Sequence, residues 1–123
     1  EEPIALAERL LELRDIDVVV IDCLTLWLSN LLVRNESESR ILAQVMTLAG
    51  VLDRRAWSAI VVTNEVGLGV VPETSLGRAF RDVAGRAHQR LAAGADEIYL
   101  AVLGSILRIR PEPVSVQTLG DTP

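Results

Sequence analysis

The chain has 123 residues, with 12 basic against 17 acidic side chains, a formal net charge of -5 and half of its residues hydrophobic. Every basic residue is an arginine, which excludes lysine Schiff bases and lysine-dependent phosphate loops within this chain. The acidic balance provides no basic stripe for a phosphodiester backbone and argues against nucleic acid or an anionic membrane as partner, although a small anionic ligand needs only a local patch.

The opening Glu1-Glu2-Pro3 is opposite in charge to a signal-peptide start, and no apolar run approaches the roughly 20 residues of a membrane span, so a cytoplasmic domain is expected. Ile4 to Leu13 alternates apolar and charged residues with the period of an amphipathic surface helix. Asp17 to Asp22 then places four β-branched residues in a row, the signature of a parallel strand covered on both faces near the centre of a sheet. Leu24 to Leu32 is strongly apolar around Trp27 and is read as helical. Asn35 and Glu38 fit a capping pair for the following helix, Arg40 to Ala56, whose Ile41, Val45, Leu48 and Leu52 form one stripe. Ala59 to Asn64 repeats the buried-strand pattern, which makes a βαβ unit.

Glu65 to Glu73 holds two glycines and a proline and is expected to be a loop. A helix from Leu76 to Ala93 follows, with Phe80, Val83, Ala84 and Ala87 on one side and Arg78, Arg81, Asp82 and Gln89 on the other; Gly94 is a plausible stop. Glu97 to Leu103 and Ile106 to Ile109 predict two further strands joined as a hairpin. The expected fold is α/β, a mostly parallel doubly wound sheet with a short carboxyl-terminal hairpin. Residues 1–110 are assigned to one domain and 111–123 to an irregular tail.

In such a sheet, ligands sit beyond the carboxyl ends of the strands, which directs attention to Asp22, Asn64 and Gly104. A short carboxylate at a strand tip suits a hydrated Mg2+ on a nucleotide; equally, Asp22 could cap the next helix. Arg78 and Arg81 could pair with phosphate or simply form a solvated helix face, and Asn64-Glu65 could orient a hydroxyl or satisfy loop amides. His88 is the only histidine and lies among apolar helical neighbours, which favours a structural role; Cys23, with nothing basic beside it and no second cysteine, is read as a small buried hydrophobe. A phosphate loop of the form G-x-x-x-x-G-K-[ST] is absent, and Gly67-Leu68-Gly69 does not replace it. A strand and its acid without that loop suggest an amino-terminal segment lying outside this sequence.

Three stretches go beyond fold-level pattern: Asp22-Cys23-Leu24-Thr25-Leu26-Trp27-Leu28-Ser29-Asn30-Leu31-Leu32, Thr63-Asn64-Glu65-Val66-Gly67-Leu68-Gly69-Val70-Val71-Pro72-Glu73, and Arg78-Ala79-Phe80-Arg81-Asp82-Val83-Ala84-Gly85-Arg86. Together with Gln89 to Ala93 and Ala95 to Leu100, they closely resemble the bifunctional adenosylcobinamide kinase / adenosylcobinamide-phosphate guanylyltransferase family of cobalamin biosynthesis. The resemblance implies a P-loop NTPase-type sheet lacking its first strand or strands here. It also implies phosphorylation of adenosylcobinamide and transfer of GMP from GTP to that phosphate through a guanylylated histidine, with GTP or ATP and Mg2+ as cofactors. It implies a homo-oligomer such as a trimer.

Carried onto this sequence, the resemblance makes Asp22 the nucleotide- and metal-facing acid and Glu1 the carboxylate that meets the guanosine. Asn64, Glu65, Arg78, Arg81 and Asp82 become cleft or interface candidates. No catalytic residue is assigned in this chain, because the family's lysine loop and nucleophilic histidine precede the Glu-Glu-Pro segment. His88 stands where the family usually carries Asn, and Ile106-Leu107-Arg108 departs from the family's Pro-Leu-Lys pattern. The alternative is a non-catalytic module that binds a corrinoid or nucleotide or serves assembly.

Overall fold

The computed structural model describes residues 1–112 and the backbone of Val116–Thr118. It consists of two compact units, Glu1–Leu91 and Ala92–Pro123. In chain order the first unit holds α1 (Leu6–Leu11), β1 (Val18–Asp22), α2 (Leu24–Val33), α3 (Glu38–Asp53), β2 (Ser58–Val62) and most of α4 (Ser75–Gly94). The second unit takes the end of α4 and the strands β3 (Ile98–Val102), β4 (Ser105–Arg110) and β5 (Val116–Thr118).

β1 and β2 pair in parallel, with Val18 opposite Ser58 and Asp22 opposite Val62. The expected βαβ unit is therefore present, with α2 and α3 as the crossover. One face of this ribbon, led by the buried Ile21 with Val19 and Val61, packs on the core. The core is built from Leu24, Trp27, Leu28 and Leu31 of α2, Ile41, Val45 and Leu48 of α3, Leu6 and Leu10 of α1, and Val83, Ala84 and Ala87 of α4. The apolar stripes recur at three and four residues because that spacing keeps them on one helix face, and burying each large aliphatic side chain contributes about 1.5–3 kcal/mol.

The other face differs from the expected burial on both sides. Val18, Val20, Ile60 and Val62 share it and are exposed, and among the described residues β1 has β2 as its single neighbour rather than sitting centrally. The β-branched run encodes a strand that tolerates two apolar faces, and within this chain helices cover one of them.

The predicted capping pair is also corrected. Ser37 is the N-cap of α3, its hydroxyl accepting from the Arg40 N–H at 3.3 Å. Asn35 instead closes α2: its N–H donates to the Leu32 carbonyl, and its φ of 59° is the left-handed conformation that asparagine tolerates after a helix end. In the second unit Leu103 (φ 51°) and Gly104 (φ 72°) form the two-residue loop of the β3–β4 hairpin, where both central residues need positive φ. The tail, expected to be irregular, contributes β5, which pairs antiparallel with β4 and satisfies the backbone groups on that strand's outer edge. The Arg110 guanidinium donates to the Ala92 and Ala95 carbonyls, tying β4 to the end of α4 within this unit.

Candidate functional site

The carboxyl ends of β1 and β2 lie side by side, so the parallel register places Asp22 and the segment beginning at Thr63 together. Asp22 ends β1 and is exposed, on the same sheet face as Val20 and Val62. It does not cap α2. The N-cap there is Cys23, half-buried and without a side-chain capping hydrogen bond, and Asp22 is exposed. The Asp22–Cys23 peptide bond is cis.

Beside Asp22 runs a chain of polar groups that sequence reasoning did not assemble. The Asn64 N–H donates to Thr25 Oγ1 at 2.7 Å, Thr25 Oγ1 lies 3.1 Å from Thr63 Oγ1, and Thr63 Oγ1 lies 2.7 Å from His88 Nε2. Thr25 comes from the first turn of α2, Thr63 and Asn64 follow β2, and His88 reaches in from α4. The imidazole is half-buried, and its burial holds its pKa below the ordinary histidine value, with Glu65 acting in the opposite sense. The signal was present as hydroxyls at both strand tips. Helical spacing relates His88 only to its own helix, whereas its partner lies 25 positions earlier.

The loop after β2 is held from two sides. The Glu65 carboxylate accepts the Gly67 N–H at 2.5 Å, while Arg81 donates to the Gly67 carbonyl at 2.6 Å. Arg78 donates to the carbonyls of Pro72 at 3.0 Å and Glu73 at 2.8 Å. Both arginines thus brace loop backbone, and Arg78 does not pair with Asp82 as a helix-face bridge. Asp82 is exposed on α4. Arg86 pairs with Glu38 of α3.

Glu1 is exposed at the chain start, apart from the strand-tip hydrogen bonds. The segment that carries it is fixed. The Glu2 carboxylate accepts the N–H groups of Ile4 (2.9 Å) and Ala5 (2.7 Å), which pull its pKa below the usual carboxylate range. Trp27 Nε1 and Asn30 Nδ2 of α2 donate to the carbonyls of Ile4 and Pro3.

A further hollow of about 250 Å³ lies between the second half of α2 and the start of α4, lined by Ser29, Leu32, Val33, Thr74, Leu76, Gly77 and Phe80. No group of three or more His, Cys, Asp or Glu side chains that could hold a metal exists among the described residues. A lone strand-tip carboxylate fits Mg2+ that keeps its waters and is shared with substrate phosphates, and does not fit a self-contained metal cage. No helix among the described residues is long and apolar enough to cross a membrane.

A family profile described as cobinamide kinase / cobinamide phosphate guanyltransferase matches residues 1–109. Two relatives carry the name bifunctional adenosylcobalamin biosynthesis protein CobU. The Escherichia coli protein is 38% identical and the Salmonella typhimurium protein 39%, each alignment covering 76% of this chain and 59% of the relative. The Pseudomonas aeruginosa bifunctional adenosylcobalamin biosynthesis protein CobP is 36% identical over 93% of this chain and 66% of its own length. The chain thus spans about three-fifths of the two enteric relatives.

Proposed function

The chain belongs to the cobinamide kinase / cobinamide phosphate guanyltransferase family, and from that premise we propose that it forms the strand-tip half of a magnesium-nucleotide site in an enzyme of cobalamin biosynthesis. That enzyme phosphorylates adenosylcobinamide and then transfers GMP from GTP to the resulting phosphate. Residues 1–110 are read as the carboxyl-terminal portion of one P-loop-type kinase and guanylyltransferase domain, working in the cytoplasm as a homo-oligomer.

The observation that carries this reading is the Asp22 carboxylate, exposed and uncommitted at the end of a parallel strand, beside the Thr25, Thr63 and Asn64 cluster. Mg2+, when bound with the nucleotide, would supply neutralisation of phosphate charge. Asp22 would hold one of its waters or coordinate it directly. Glu1, on the segment pinned to α2, would meet the guanosine. Asn64 and Glu65 shape the loop that borders the cleft, with Arg78, Arg81 and Asp82 on the helix behind it. The lysine that would cradle the phosphates, and the histidine that would carry GMP, are supplied from outside this chain. No lysine exists here, and the one histidine is tied to Thr63.

The test has two readouts on the 123-residue chain. Magnesium–GTP binding measured by calorimetry is expected to weaken by about tenfold or more in Asp22→Asn, the loss of one charge-assisted contact. Incubation with labelled GTP and adenosylcobinamide is expected to give no transfer and no covalent GMP. A GMP adduct on this chain would contradict the assignment, and corrinoid binding that is indifferent to Asp22 and to nucleotide would favour a non-catalytic module.

A further inference from the structure

We propose that His88 is a positioning residue that terminates a one-directional hydroxyl relay, from the Asn64 N–H through Thr25 and Thr63 to His88 Nε2, and so holds the ends of β1 and β2 in a single arrangement. Three elements meet in this chain, with separations of 2.7, 3.1 and 2.7 Å. A backbone N–H can only donate, so Thr25 Oγ1 must accept from Asn64. If Thr25 then donates to Thr63, and Thr63 to Nε2, each hydroxyl accepts one bond and donates one, and every bond polarises the next in the same sense.

The opposite sense requires hydrogen on Nε2. Thr63 then turns its proton toward Thr25, which accepts twice and has its own O–H released from the chain. A charged imidazole imposes that state, because both of its ring nitrogens carry hydrogen. Burial of the ring favours the neutral form, which permits the first sense when its single hydrogen is on Nδ1. Of the groups acting on the ring, Glu65 on the segment after β2 is charged and favours the charged form, and Thr63, its hydrogen-bond partner, is uncharged. The residues three and four positions away on α4, Ala84, Gly85, Leu91 and Ala92, carry no charge. As a statement about catalysis, the role of His88 rests on the nucleotide reading above; the relay itself does not.

Because His88 is the only histidine, its ring nitrogens can be observed by long-range proton–nitrogen correlation in the 123-residue chain without ambiguity. The expected result near neutral pH is a ring protonated on Nδ1, with Nε2 accepting. Thr63→Val, which keeps the shape and removes the hydroxyl, is expected to raise the His88 pKa, since it deletes a donor that stabilises the neutral ring. Burial alone would lower that pKa or leave it unchanged, because valine is the drier neighbour. In His88→Gln, whose amide oxygen reaches the place of Nε2, the Asn64 amide should keep its protection against hydrogen exchange, whereas His88→Leu should speed that exchange about tenfold.

A ring protonated on Nε2, a lowered or unchanged pKa in Thr63→Val, or equal exchange in the Gln and Leu variants would overturn the relay. With the relay seen, shifts at Thr25 and Asn64 on adding magnesium–GTP support both readings. Their absence contradicts the nucleotide reading while supporting His88 as the anchor of the strand tips.

Discussion

At the scale of single residues, Asp22 and His88 illustrate opposite kinds of legibility. The place of Asp22 at the strand tip is readable because it requires only a strand and its last residue, both local in sequence. The structure removes the competing role: the helix that follows begins at Leu24, and its N-cap is Cys23, with no side-chain capping hydrogen bond. His88 could not be found the same way, since its partners come from α2 and the end of β2 and no helical spacing encodes them. Its depressed pKa has a measurable consequence. Between the ordinary histidine value near 6.5 and the lower folded value, the unfolded chain binds more protons. Stability should therefore be level above that range and fall as the pH drops through it, and His88→Gln should remove that slope. Glu2 adds a separate loss at lower pH, because its depressed carboxyl contributes only while ionised. Urea midpoints taken at intervals from about pH 8 to pH 5 would show the histidine slope apart from the carboxylates.

At the scale of elements, the boundaries that depended on periodicity were readable and those that depended on caps were not. The apolar stripe of α3 predicted its body, but Ser37 rather than Asn35 starts it, because Asn35 is already engaged in closing α2. Replacing Ser37 by Ala should cost about 1 kcal/mol, while Asn35→Ala should act through the left-handed turn instead of through α3. Thermal unfolding of both variants, with helix content measured alongside, would separate these effects. The loop from Glu65 to Glu73 was expected from its glycines and proline, but not the manner of its bracing. Arg78 and Arg81 each donate to its carbonyls, so α4 acts as a splint for it. Arg81→Ala should leave α4 folded and increase exchange and proteolysis near Gly67. An unchanged loop would show that the guanidinium adds nothing there.

At the scale of the whole molecule, the sequence implied a doubly wound sheet, and the described residues show one parallel pair, an antiparallel set and helices over one face of the pair. The β-branched run could not reveal how many neighbours the strand would have, because the same residues suit one covered face or two. The exposed Val18, Val20, Ile60 and Val62 give this chain an apolar surface that water does not solvate well. It should bind a hydrophobic dye while fully folded, and Val20→Thr with Ile60→Thr should reduce that binding without loss of the core. Leu28 lies in that core with no exposure, and Leu28→Ala should cost about 2–5 kcal/mol. Dye binding that follows global unfolding rather than the two threonines would contradict the assignment of that surface.

On the reading proposed above, a guanine nucleotide binds beside this fold with its metal at the open carboxylate that ends β1. The most direct test is paramagnetic broadening of the backbone amides of the 123-residue chain by Mn2+ added together with GTP. Broadening centred on Cys23, Leu24, Thr63 and Asn64, and abolished by Asp22→Asn, is the predicted result. Broadening centred elsewhere, or unchanged when Asp22 is replaced, would contradict it.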